Sequence, residues 1–173
     1  YKTEERIIKD LIFTGKLNII SDLTVAENVT LTIDPNTVIQ LEDDVVFEIN
    51  GKLSAMGTEE EPILFTSLYS NPSTGQYWNR IKFNNSANDN SILKYCNIKY
   101  AVCGTDVDKV NLTIENCNYS NISYAGIKIT EANASVSNCD ITSGTYGIQI
   151  YNTNNLTNDP YIEENTIHDC VHS

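Results

Sequence analysis

The sequence has 173 residues, enough for one domain with a continuous core, and a net charge of −12 from 11 basic and 23 acidic residues. This charge argues against nucleic acid as a partner, because a phosphate-binding face needs clustered Lys and Arg. An anionic polymer would also be repelled unless a metal ion mediated the contact. The apolar runs are only a few residues long, so we expect no membrane insertion.

Residues 1–22 are predicted to form a cap or lead-in segment. In the string TEERIIKDLIF, Thr3 at an N-cap position, glutamates in the first turn and spaced apolar residues fit a short helix that would cover the open end of the structure that follows. A strand fits the same residues, and the sequence leaves both alternatives open.

Residues 23–67 alternate apolar and polar side chains, which is typical of half-buried strands. The pattern runs through LTVAENVTLTIDPNTVIQL, VVFEINGKLSAMG and EPILFTS.

An internal repeat begins near Tyr77. Placing Cys117 over Cys139, a shift of 22 residues, superimposes apolar positions along both segments. The same register extends in both directions with small insertions. It aligns Thr105 with Ile127 and Ile148, Ile81 and Phe83 with Ile127 and Ile129, Leu93 with Ile114, Cys96 with Cys117, Ile98 with Ile122, and Ile141 with Ile167.

Each repeat unit spans about 21 to 26 residues and holds short β-type pieces such as GIKI, ASVSN and GIQI. No unit has room for a helix of ten or more residues. Units of this length predict an all-β solenoid, a parallel β-helix of about six coils over residues 23–173, in which equivalent side chains stack about 4.8 Å apart.

The run GKLSAMGTEEEPILFTS, followed by YWNRIKF, resembles a signature of secreted right-handed β-helix proteins of the pectin-lyase-like group. LTIDPNTVIQL is similar to the preceding coil of that group, with Asn36 where Gly is usual; Asn also tolerates a left-handed turn. The resemblance covers residues 23–173. The resemblance implies a right-handed solenoid and an extracellular or cell-surface location. Enzymes of this group act on polysaccharides, so the resemblance also points to polysaccharides as candidate ligands.

Two sets of residues are candidate metal ligands. Asp106 and Asp108 alternate, so both would face outward and could hold calcium, although GTDVDK also reads as a polar turn. His168, Cys170 and His172 would lie on one side of a strand and could bind zinc or copper. No other cofactor is indicated.

No catalytic set is complete, so the sequence favours a protein that is not an enzyme. The triplet Arg80-Ile81-Lys82 matches a short polygalacturonase motif, but the NTD and GHG motifs of that family do not precede it. Ile81 and Phe83 are instead predicted to be core residues.

Cys96, Cys117 and Cys139 are predicted to form one ladder, either as buried thiols or with a disulfide between neighbouring coils. Cys103 and Cys170 lie off this ladder. The odd number of cysteines leaves at least one thiol unpaired, which in a secreted protein suggests an intermolecular bond through Cys103 or Cys170.

Seven sequons also fit a secreted glycoprotein, although several would arise by chance in a chain so rich in Asn. They begin at Asn28, Asn84, Asn111, Asn118, Asn121, Asn133 and Asn155.

Three functions remain open. The first is an extracellular structural protein, a self-assembling unit of a cell-surface layer, sheath or fibre built by end-to-end or lateral contacts between copies. The second is a polysaccharide-binding module, in which those tyrosines of the repeats that face outward form a platform for sugar rings; the same tyrosines could equally contact another protein chain, or stack on one another and stiffen the turns. The third is a polysaccharide lyase or hydrolase. The tyrosines in question are Tyr95, Tyr100, Tyr119, Tyr124, Tyr146 and Tyr151.

Overall fold

In the computed structural model, which describes residues 4–142, 144–152 and 158–172, the chain forms a parallel β-helix. Three seven-stranded sheets run along its axis, and each coil contributes one strand to each sheet. Every strand pairs in parallel with the equivalent strand of the next coil. In the described ranges, no helix is both long enough and apolar enough to cross a bilayer.

The strands follow one another coil by coil. Coils 1 to 3 contain β1 (Glu5–Ile7), β2 (Leu11–Phe13), β3 (Lys16–Ile19), β4 (Leu23–Val25), β5 (Thr30–Ile33), β6 (Val38–Leu41), β7 (Val46–Ile49), β8 (Lys52–Met56) and β9 (Ile63–Ser67). A 3₁₀ turn at Thr74–Gln76 precedes coil 4. Coils 4 and 5 contain β10 (Arg80–Phe83), β11 (Ile92–Lys94), β12 (Cys96–Lys99), β13 (Cys103–Asp108), β14 (Thr113–Glu115) and β15 (Asn118–Ser120). Coils 6 and 7 contain β16 (Ala125–Thr130), β17 (Ser135–Ser137), β18 (Asp140–Thr142), β19 (Tyr146–Tyr151), β20 (Tyr161–Glu163) and β21 (Thr166–His168).

The first sheet consists of β1, β4, β7, β10, β13, β16 and β19; the second begins with β2 and the third with β3. The register matches the sequence repeat. Ile127 pairs with Thr105 on one side and with Ile148 on the other, so the predicted 22-residue stacking is confirmed. Leu93 stacks on Ile114 as expected.

One alignment in the repeat is wrong. Ile98 pairs with Tyr119 and not with Ile122, because the equivalent position lies two residues after each ladder cysteine. Tyr119 is fully buried, and its hydroxyl lies 2.9 Å from Oγ1 of Thr105, so the phenol is satisfied inside the core.

Of the two alternatives left open for the N-terminal segment, the strand is confirmed and the helix is wrong; the N-cap candidate Thr3 lies outside the described residues. β1 pairs with β4, β2 with β5 and β3 with β6, so residues from Glu5 onward form a complete first coil. This coil brings the total to seven, against about six expected. Parallel pairing with coil 2 satisfies backbone groups along these strands, and this tertiary pairing overrides the local helical pattern.

The core is a closed column of inward-facing Ile, Val, Leu and Phe side chains. Trp78 is buried beside it and donates its indole N–H to the carbonyl oxygen of Lys99 at 2.8 Å. Asn residues allow sharp corners: Asn36, Asn116 and Asn138 have φ between 53° and 61°, as expected for Asn36 in place of glycine.

Gly51 marks a corner where backbone segments touch. A Cβ atom there would lie 2.3 Å from the carbonyl oxygens of both Ala26 and Val29. We therefore expect Gly51→Ala to lower the free energy of unfolding by about 3 kcal/mol, through forced backbone movement. Urea denaturation measures this loss. Gly75→Ala, which meets nothing within 4 Å, is the matched control and should have little effect; equal losses in both variants would contradict the packing argument.

Candidate functional site

A long groove of about 600 Å³ lies on the outer face of the first sheet and crosses coils 1 to 6. We call it the first-sheet groove. It is lined by Glu4, Asp22, Thr24, Val46, Glu48, Asn79, Arg80, Lys82, Asp106, Asp108, Lys128 and Thr130.

The groove follows from strand alternation and in-register stacking. Because inward apolar residues occupy every second position, the intervening polar residues all emerge on the outer face. Pairing then stacks them in rows along the solenoid axis. The central row runs Arg6, Thr24, Glu48, Lys82, Asp106, Lys128. Charges of opposite sign therefore follow one another from coil 3 to coil 6.

Asp106 is the most enclosed charge of the groove, with 5% of its surface exposed. Arg80 donates from Nη1 to Oδ2 of Asp106 at 2.7 Å, and Nζ of Lys128 lies 3.4 Å from Oδ1. Arg80 is held in turn by a 2.7 Å hydrogen bond from Nε to Oδ1 of Asn79. Two cations from neighbouring coils therefore neutralise one buried carboxylate.

Asp106 and Asp108 do face outward together, but not in a turn: both belong to β13, so the polar-turn reading of GTDVDK is wrong. Among the described residues, no group of three or more His, Cys, Asp or Glu side chains is arranged to hold a metal ion. Arg80 and Lys128 are the side-chain cations that contact Asp106. Calcium binding at Asp106 and Asp108 stays a prediction.

The other carboxylates of the groove have polar but uncharged partners. Thr24 donates its hydroxyl to Glu4 at 2.9 Å and lies 3.2 Å from Glu48. Asp22 accepts the backbone N–H of Val46 at 2.9 Å. Within the described ranges, these carboxylates make no ion pair with any cation.

The groove ends at coils 6 and 7 in three tyrosines, Tyr124, Tyr146 and Tyr151, which we call the tyrosine cluster. The rings of Tyr124 and Tyr146 meet edge to face with centroids 5.6 Å apart. Tyr124 donates its hydroxyl to Oε1 of Gln149 at 2.9 Å. Tyr151 pairs with groove residue Thr130. Hydrogen bonding to Tyr124, followed by partial desolvation, raises the pKa of Tyr151.

Lys128 joins the cluster to the groove. Its Nζ lies 5.9 Å from the ring centroid of Tyr151 while also pairing with Asp106. Tyr124 and Tyr151 remain about two-fifths exposed, at 37% and 41%. The first sheet therefore presents one continuous surface, polar along most of its length and aromatic at one end.

A protein-family model described as a right-handed beta helix region matches residues 79–173, more than half of the chain. This chain belongs to the right-handed β-helix family. The match agrees with the predicted fold and fixes the handedness of the coils. No curated protein and no solved structure matches the chain.

The tyrosines named in the sequence analysis do not lie together on one face of this right-handed β-helix. Tyr119 is buried, and Tyr100 packs edge to face on Tyr77, with centroids 5.7 Å apart, away from the cluster. Tyr95 lines a separate, smaller concave surface together with Asn97 and Asn118. Only half of the predicted platform is therefore assembled in one place.

The cysteine ladder is present in the right-handed β-helix. Cys96, Cys117 and Cys139 are buried in successive coils, and none of the five cysteines, all of which the structure describes, is in a disulfide. Burial raises the pKa of Cys117 well above its usual value. The pKa of Cys139 is raised mainly by its hydrogen bond with Cys117 and then by burial.

Cys103 and Cys170 lie off the ladder. Cys103 is 1% exposed, and burial raises its pKa to about 12, with a smaller contribution from the charge of Asp106. Cys170 is partly exposed. Of the two, only Cys170 presents a thiol toward solvent for the predicted intermolecular bond.

The expected grouping of His168, Cys170 and His172 on one strand face is wrong. β21 ends at His168, and Asp169 turns the chain with φ of 57°. His172 then bridges to the first sheet, where its ring stacks on Tyr146 with centroids 5.2 Å apart. His168 stays on the third sheet, where hydrogen bonds to Asp169 and Asp140 raise its pKa.

Most of the predicted glycosylation sites are on the surface. Asn84 is half-buried and donates Nδ2 to Glu48 and, at 2.7 Å, to Oδ1 of Asn50. Asn155 lies outside the described residues. The exposed sequon residues are Asn28, Asn111, Asn118, Asn121 and Asn133. Their use for glycosylation stays a prediction.

Asp106 gives a test of the site's construction. Asp106→Ala would leave Arg80 and Lys128 close together without a counter-charge. Since both cations are about 30% exposed, we discount the cost of breaking a buried pair and expect the free energy of unfolding to fall by about 2 kcal/mol. Chemical denaturation measures it. Asp108 is the next outward-facing residue of the same strand, and Asp108→Ala should lower the free energy of unfolding by less than about 0.5 kcal/mol. A loss as large as that of Asp106→Ala would contradict the role assigned to Asp106.

Proposed function

We propose that this right-handed β-helix is a polysaccharide-binding module that holds a glycan chain along the first-sheet groove, with sugar rings on the tyrosine cluster. The observation that carries the proposal is the continuity of the two surfaces. Sugars present hydroxyl groups at their edges and C–H groups on their faces, so a glycan needs both polar partners and aromatic rings.

The shape of the surface supports a polymer as the ligand. The groove crosses six coils, and coils stack about 4.8 Å apart, so it extends for roughly 25 Å. Carboxylates, amides and hydroxyls follow one another along it. A chain of several sugar units would contact all of these groups at once, whereas a single sugar would reach only one or two coils.

Binding without turnover is the activity we expect. The enclosed carboxylate of the groove, Asp106, is paired with Arg80 and Lys128. Arg80 contacts Oδ2 and Lys128 contacts Oδ1, so both oxygens of this carboxylate already have partners within the protein. An extracellular or cell-surface location would give such a module access to its ligand, and the exposed sequons agree with it.

The tyrosine cluster is the point at which to test binding. Tyr151→Ala removes an exposed ring and should weaken affinity for the best ligand of a polysaccharide panel by about fivefold, since ring stacking contributes about 1 kcal/mol. Binding is measured by affinity electrophoresis in gels that contain each polymer.

Tyr161→Ala is the matched control, because Tyr161 is 57% exposed but lies on the second sheet. It should leave the affinity unchanged. Equal weakening by both substitutions, or no retention of the unmodified protein by any polymer, would refute the proposed binding surface.

End-to-end association of copies is a second candidate function, supported by a different observation. Inward-pointing residues of the first and last coils remain exposed: Leu11 at 40%, Ile150 at 45% and Ile162 at 37%. Equivalent positions in the middle coils are fully buried. Stacking the first coil of one copy on the last coil of another would bury these side chains and pair the free strand edges.

Sedimentation velocity over a concentration series tests this association. We expect reversible growth of end-to-end oligomers, visible as rods by electron microscopy. Ile162→Lys should suppress it by placing a charge in the contact, whereas Thr113→Lys, on the same sheet in the middle of the solenoid, should not. A protein that remains monomeric at all concentrations excludes this role.

A further inference from the structure

We infer that the glycan in the first-sheet groove carries protonated amino groups, so that the ligand class is an amino-sugar polymer. This inference rests on the proposed polysaccharide binding and adds the chemistry of the ligand. It is carried by the arrangement of charges along the groove.

The charged residues that line the groove in the first three coils are all acidic. Glu4, Asp22 and Glu48 line this part, together with Thr24 and Val46. Each carboxylate is oriented by the hydrogen bonds described above and, among the described residues, none is paired with Lys, Arg or His. Arg6 pairs in register with Thr24 at the start of this row, but its side chain is exposed and does not line the groove. The groove lining at this end therefore carries three negative charges and Arg6 lies at its outer edge.

The basic residues of the groove do not compensate these charges. Arg80 and Lys128 are both committed to Asp106. In the part of the chain that the structure describes, Lys82 is the remaining groove cation and Asp108 the remaining acid beside it. The lining as a whole has five carboxylates and three cations, an excess of two negative charges.

A concave surface with excess negative charge raises the local concentration of cations and repels anions. The net charge of −12 for the chain acts in the same direction. Within the groove lining, a polymer of uronic acids would meet Lys82 as an unpaired cation, with Arg6 at the outer edge of the first coil. An amino-sugar polymer would place its ammonium groups against Glu4, Asp22 and Glu48.

The tyrosine cluster at the other end of the groove favours a glycan over a basic peptide as the ligand. Coil 2 and the tyrosine cluster at coils 6 and 7 are separated by about four to five coils, roughly 20 Å. One ligand that reaches both ends must present cationic groups at one end and flat, weakly polar faces at the other. A chain of amino sugars has both features in every unit.

Binding of four polymers, measured by microscale thermophoresis at low and high salt, tests the inference. The polymers are a deacetylated amino-sugar polymer (chitosan), N-acetylated oligomers of the same sugar, a neutral β-glucan and polylysine. We expect chitosan to bind most tightly and to weaken as salt rises, because screening reduces the attraction between surface charges.

The double substitution Asp22→Asn with Glu48→Gln should weaken chitosan binding by about tenfold, since each exposed charge pair contributes up to about 1 kcal/mol. Glu59→Gln with Glu60→Gln is the matched control: it changes the net charge equally at exposed positions outside the groove. It should weaken binding less than twofold, which separates groove binding from general attraction to a polyanionic protein.

Each contrary result identifies which claim fails. Equal affinity for the neutral glucan would overturn the charge inference and leave polysaccharide binding intact. Groove-dependent binding of polylysine as tight as that of chitosan would show that the ligand need not be a sugar. Failure to bind any glycan would refute both the inference and the proposed function.

Discussion

Parallel, in-register pairing between successive coils is the constraint on which the rest of this structure depends. Because each strand pairs with its equivalent in the next coil, a residue's orientation is shared by the whole row in which it stands. A shift of one residue would exchange inward and outward rows in that strand. Extra residues are therefore confined to the turns, as in the segment around the 3₁₀ turn at Thr74–Gln76 between coils 3 and 4.

The same constraint shapes the surface. Like charges in adjacent coils would stack about 4.8 Å apart, which is unfavourable. In the central row of the groove the signs alternate through Glu48, Lys82, Asp106 and Lys128, so stacking becomes attractive. The row stabilises its own register and fixes the positions of its side chains. A ligand that binds there meets groups that are already ordered and loses little free energy in arranging them.

The sequence predicted the fold because a 22-residue shift superimposes apolar residues, and their rows are what stacking requires. It failed where an inward position is polar. Tyr119 was missed because its hydroxyl is satisfied by Thr105 from another strand. The ion pairs of Asp106 were not predicted for a similar reason. Arg80 and Lys128 lie 26 and 22 residues away in the sequence, and only the register between coils brings them beside Asp106. Local patterns show which residues alternate, but not which partners the neighbouring coils supply.

Family membership by itself does not assign a function, because the right-handed β-helix is a scaffold and chemistry resides in the side chains of its outer rows. Here those rows differ from coil to coil: acids at one end of the groove, a neutralised centre at Asp106 and aromatic rings at the other end. Under the proposed function, a ligand that spans this surface would be recognised by the order of its groups along the axis, and not by any single pocket. The specificity of the proposed binding would therefore depend on the same coil-by-coil register that holds the fold together.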